Sequence, residues 1–113
     1  MTDDLSLGPF RISARDDGQQ ELVLFDADME EVEDVFEDLD AESDGHGWES
    51  LAQWLTQTEM PDLADSIWFG SESGTFVAGS ADAGALRRLA ERLHEAFHDR
   101  SLLARLVTQA ERG

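Results

Sequence analysis

Two histidines flank a glutamate in the run His94-Glu95-Ala96-Phe97-His98. In zinc peptidases this H-E-x-x-H spelling sets two imidazoles on one helical face for the metal, with a carboxylate beside them to activate water. The surrounding pattern resists that chemistry. Leu86, Leu89, Ala90, Leu93 and Phe97 line one apolar stripe, and at about 100° per residue His94 falls ~80–90° from its centre and His98 ~120°. Both rings then point to the flank or to water. No third-ligand pattern follows, because the one acid after Asp99 is Glu111. The expectation is two surface histidines and no bound metal or cofactor, with a metal-dependent hydrolase as the alternative.

Asp40-Ala41-Glu42-Ser43-Asp44-Gly45 opens like a calcium loop. Such a loop goes on to an apolar residue at the eighth position and a bidentate glutamate at the twelfth; here those places hold Gly47 and Leu51. The residues that would close the cage are missing, so no specific cation site is expected. There is no G-x-S-x-G, no phosphate-cradling glycine loop and no spaced nucleophile, base and acid. Carboxylates abound, but general acid–base work needs one of them desolvated. The chain is expected not to be an enzyme.

What remains is recognition, and the acids carry it. Half of the 24 residues from Asp26 to Glu49 are Asp or Glu, and none is Lys or Arg. Met29, Val32, Phe36 and Leu39 recur at three- and four-residue spacing, which predicts one helix from Asp26 or Asp28 to about Ala41 with its acids facing outward. Glu30/Asp34, Glu33/Glu37 and Asp34/Asp38 are like-charge i,i+4 pairs, each unfavourable by roughly 0.2–0.5 kcal/mol. Stability alone would not select them. The candidate partner-binding residues are therefore Glu30, Glu33, Asp34, Glu37, Asp38, Asp40, Glu42 and Asp44, with Trp54 as an aromatic anchor.

Other elements must hold that segment in place. Residues 1–8 read as a frayed start, and Phe10, Ile12 and Ala14 alternate with polar residues as a strand with one wet face. Asp16-Asp17-Gly18-Gln19 is turn chemistry, and Glu21 to Phe25 is the returning strand. Ser43 to Gly47 reads as a two-glycine turn before a helix from about Trp48 to Thr58, ended by Met60-Pro61. Ser66 to Phe69 and Thr75 to Ala78 flank Glu72-Ser73-Gly74 as a second hairpin, with Gly74 in the tight position. Ser80 or Asp82 caps the next helix, and Leu102, Leu103, Leu106, Val107 and Ala110 line a last one ending at Gly113. The order ββαα-ββαα predicts a single α+β domain over residues 1–113, an antiparallel sheet of two hairpins with helices packed on one face.

With 113 residues the chain suffices for one core, and the absence of cysteine excludes disulfides and thiolate metal sites. No run of ~18 apolar residues and no apolar leader is present, so a soluble cytoplasmic protein is expected. The formal charge is −18, and all eight basic residues are Arg. A field of that sign repels nucleic acid and anionic membranes and favours a cationic partner. Salt adaptation of a whole proteome would explain the total. It explains less well why Asp16 to Ala85 holds twenty acids without one basic residue, while six Arg face four acids from Arg87 onward.

The runs Gly47-Trp48-Glu49-Ser50-Leu51-Ala52 with Leu55, Glu59-Met60-Pro61-Asp62-Leu63, Glu72-Ser73-Gly74-Thr75-Phe76, and the helix Leu86, Leu89, Leu93, Phe97 together resemble the Imm51 family. Its members are immunity proteins of bacterial polymorphic toxin systems. The resemblance spans about Leu22 to Ala110. It implies a small α+β cytoplasmic protein that binds and neutralises a toxin domain encoded beside it, and it brings no contact residues to carry over. Many such toxins act on nucleic acids through basic clefts, which an acidic protector would fill or cap. The alternatives are the hydrolase centred on His94 and His98, and an acidic regulatory module of a salt-adapted cell.

Overall fold

The computed structural model describes residues 9–15 and 17–112. The expected start at residues 1–8, Asp16 of the first turn and Gly113 lie outside the described residues. Strands β1 (Arg11–Ala14) and β2 (Gln20–Phe25) form the first hairpin, and β3 (Trp68–Phe69) and β4 (Thr75–Ser80) the second. Gly18 takes φ +86° in the first turn, a conformation open to glycine at little cost. In the second, Glu72 and Thr75 exchange backbone hydrogen bonds of 2.8 and 3.1 Å around Ser73-Gly74, and Gly74 needs no positive φ.

Pairing β2 with β4 joins the hairpins into one antiparallel sheet of order β1-β2-β4-β3. The register sets Leu22 opposite Ala78 and Leu24 opposite Phe76, and all four are fully buried. Side chains alternate across a pleated strand. Glu21, Val23, Phe25, Thr75 and Val77 therefore share the other face, where each is half-buried or exposed. The helices cover one face of the sheet, as the element order predicts.

The acidic segment is not the continuous helix expected. One helical turn α1 (Asp26–Met29) passes into a 3₁₀ turn (Glu30–Val32) and then α2 (Glu33–Asp38), short of Ala41. Val32 sits at φ −123°, ψ 13°, outside the helical region. Its charges oppose a regular helix, and burial of apolar side chains decides the path. Three-residue winding stacks i and i+3, which puts Met29 and Val32 together in the core at 2 % exposure each. Neither Asp26 nor Asp28 is the N-cap: Phe25 occupies that position without a side-chain bond. The two aspartates lie in the first turn, where the unpaired amides still favour negative charge.

Helix α3 (Gly45–Thr58) starts three residues before the expected Trp48. Asp44 caps it, its Oδ1 accepting from His46 N at 3.1 Å and Gly47 N at 3.2 Å. The glycines read as a turn serve close packing. A Cβ on Gly45 would lie 1.9 Å from Glu72 O, and one on Gly47 1.8 Å from Glu42 O. Helix α4 (Ala83–Phe97) is capped by Asp82, whose Oδ1 accepts from Gly84 N and Ala85 N at 3.0 and 3.2 Å. Helix α5 (Arg100–Arg112) follows.

Trp48 centres the core with zero exposure. Phe36, Phe10 and Phe97 surround it at ring-centroid distances of 5.2, 5.8 and 6.1 Å. Its Nε1 has no hydrogen-bond partner among the described residues.

Candidate functional site

The acidic segment is fixed at its far end by backbone geometry. Ala41 N donates to Phe36 O at 2.9 Å and Asp40 N to Glu37 O at 3.1 Å, the paired bonds of a Schellman ending. Asp40 occupies the left-handed position of that motif at φ 58°. From there Glu42 runs under Gly47, and Asp44 turns its carboxylate into the cap of α3.

Of the eight candidate carboxylate residues, Glu30, Asp34, Glu37, Asp38, Asp40 and Glu42 are exposed, and Glu33 and Asp44 half-buried. Asp34 is paired to the Arg100 guanidinium of α5, which also donates to Glu31 O at 3.4 Å. Among the described residues the other seven have no Arg or His within ion-pair distance. Several arginines are instead paired with acids outside this stretch. Arg92 meets Glu59 at 2.9 and 3.1 Å and Glu95 at 2.8 Å, Arg88 meets Asp62 at 3.3 Å, and Arg87 meets Glu91 at 3.0 Å. Trp54 is half-buried and packs against the core from α3. It stands ten residues beyond Asp44, about 15 Å along the helix axis.

The H-E-x-x-H residues sit where the stripe geometry puts them. His94 is half-buried and His98 exposed, with ring centroids 4.6 Å apart in a T-shaped contact. Burial, with His98 nearby, holds the His94 imidazole below its ordinary range. Glu95, the residue a peptidase would use on water, is ion-paired to Arg92. Among the described residues no three His, Cys, Asp or Glu side chains are grouped to hold a metal ion. The calcium-like run is drawn into the helix start, with the Asp44 carboxylate committed to backbone amides.

Sequence reasoning missed the outer face of the sheet. Trp68 lies there against Gly79, where a Cβ would come within 2.1 to 2.6 Å of the indole ring. Its Nε1 donates to Gln19 Oε1 at 3.1 Å, and the Arg15 guanidinium stands 5.3 Å from the ring centroid. Phe25 on the same face is, among the described residues, the exposed large apolar side chain, at 45 %. The signal was present in Leu22-Val23-Leu24-Phe25, a run apolar on both faces of a strand. Read simply as the returning strand, it hid the fact that the described residues leave one of those faces uncovered.

No helix of the described chain is long and apolar enough to cross a membrane. No curated protein and no solved structure matches the chain. A family model does, that of immunity protein 51, over residues 10–112. That match takes in the sheet, the acidic segment and every helix just described, and by it the chain belongs to the Imm51 family of immunity proteins.

Proposed function

We propose that this chain binds and neutralises a cognate toxin domain in the cytoplasm by laying the segment Glu30 to Asp44 against a basic patch or active-site cleft. Family membership supports the immunity role. One observation carries the choice of surface: seven of eight neighbouring carboxylate residues lack a basic partner among the described residues, while arginines on α4 are paired elsewhere. Carboxylates so placed repel one another and gain most from a cation brought by another molecule. In this reading the protein acts as an inhibitor and not as an enzyme, and it binds neither nucleic acid nor membrane. A partner with a basic nucleic-acid-binding cleft suits the charge by analogy.

The test is a triple reversal, Glu33→Lys, Glu37→Lys and Asp38→Lys, assayed against the toxin domain encoded beside the chain. The reading predicts association slowed by about tenfold or more at low ionic strength and a flatter salt dependence. Thermal stability should be unchanged or higher. Loss of stability with binding intact would remove this surface from the interface.

A further inference from the structure

We infer that the uncovered face of the sheet is a contact surface for a second copy of this chain. The inference does not rest on the toxin-binding reading, because it uses other residues and a different balance of charge. Val23 and Val77 face each other in register at the centre of that face, with Phe25 at one end and Trp68 at the other. Trp68 is held on three sides, by Gly79 beneath it, the Gln19 amide on its Nε1 and the Arg15 guanidinium near its ring. An aromatic side chain already fixed in place gives up little freedom when it is covered, which is what makes such residues effective anchors.

Charge selects the occupant. Arg15 pairs with Glu21 at 3.2 Å and Asp17 at 3.5 Å, and Arg11 stands beside Val23. Glu72, opposite Thr75, adds a third acid, so two arginines against three acids leave this face at about −1 on a chain whose formal charge is −18. A strongly basic partner is drawn to the acidic segment, and a strongly acidic one is repelled by the whole molecule. A second copy can approach by this face with little net charge to set against its own, and it brings a matching apolar centre.

Area sets the strength. Even if all four strands had the six residues of β2 and β4, a spacing of about 4.8 Å and a rise of about 3.4 Å per residue would enclose at most about 400 Å² per copy, near half the ~800 Å² per partner of a standard interface. The dimer is therefore weak. Because two chains of like charge are being joined, it strengthens as salt screens them, opposite in sign to binding of a basic toxin.

Sedimentation equilibrium of the full chain, from micromolar to near-millimolar concentration in low and high sodium chloride, tests this. The expected result is a monomer–dimer equilibrium whose association constant rises with salt. Phe25→Glu should lower that constant at least about tenfold with an unchanged melting midpoint, since the ring is already partly in water. Val77→Thr, which keeps strand shape, should lower it as well, and the Glu33, Glu37 and Asp38 reversal should leave it equal or raised. A monomer under every condition overturns the inference. So does a dimer that weakens with salt, or one that neither Phe25→Glu nor Val77→Thr affects.

Discussion

Asp40 holds a left-handed backbone at φ 58°, in the position of a helix ending that glycine usually fills. A Cβ in that region costs roughly 1–2 kcal/mol, less for Asp than for most residues. Asp40→Gly removes the strain and takes one carboxylate from a crowded stretch. It also adds roughly 0.5–1 kcal/mol of freedom to the unfolded chain. The net effect is a gain of about 0.5 kcal/mol, or about 2–4 °C in melting midpoint. Asp40→Ala loses the same charge and keeps the strain, so it should be less stable than Asp40→Gly by about 1 kcal/mol. Thermal melts of the two variants, paired with calorimetric titration against the toxin domain, separate strain from recognition. Stability should split, with the glycine variant above the parent and the alanine variant below it, while both bind the partner more weakly because both lack the carboxylate. If Asp40→Gly melts below Asp40→Ala, the strain argument is wrong. If both bind like the parent, Asp40 is outside the interface.

Gly45→Ala should cost at least about 2 kcal/mol by chemical denaturation, because the new methyl meets a backbone carbonyl that cannot yield; a variant of parental stability would contradict the contact with Glu72 O. Trp48→Phe should cost only about 1–2 kcal/mol, against about 3–5 kcal/mol for Trp48→Ala, since removing the indole nitrogen also removes a buried donor without a partner. A Trp48→Phe loss as large as that of Trp48→Ala would mean Nε1 is satisfied. His94, held below its ordinary range by burial and His98, binds fewer protons folded than unfolded. Its contribution to stability is therefore full above its unfolded value of about 6.5 and shrinks as pH falls through that value toward the lower folded one. His94→Gln should flatten the stability profile over that interval in paired melts, and an identical slope in both proteins would show that His94 does not set it.

The sequence made the sheet legible because its signals are local. Apolar alternation located β1, a continuous apolar run located β2, Gly18 marked a turn that requires positive φ, and Asp82 lay where a cap was needed. Gly45 and Gly47 misled for the same reason. Local chemistry reads two glycines as a turn, but their purpose is approach to the carbonyls of Glu72 and Glu42, which only the fold supplies. The interruption at Val32 was hidden too, since periodicity records which residues are buried and not how tightly the backbone winds to bury them. The acidic surface was visible as a concentration of charge. The diversion of Asp44 into a cap and the pairing of Asp34 with Arg100 were not. Trp68 acquires its setting through strand register, which brings Gly79 of β4 and Arg15 and Gln19 of the β1–β2 turn to it.

The most direct measurement is the structure of the chain bound to its toxin domain. Arg or Lys side chains of the toxin should lie within hydrogen-bonding reach of Glu33, Glu37, Asp38 or Asp40, with those carboxylates removed from water. A complex in which the toxin is held elsewhere, leaving all four in solvent, would contradict the proposed surface.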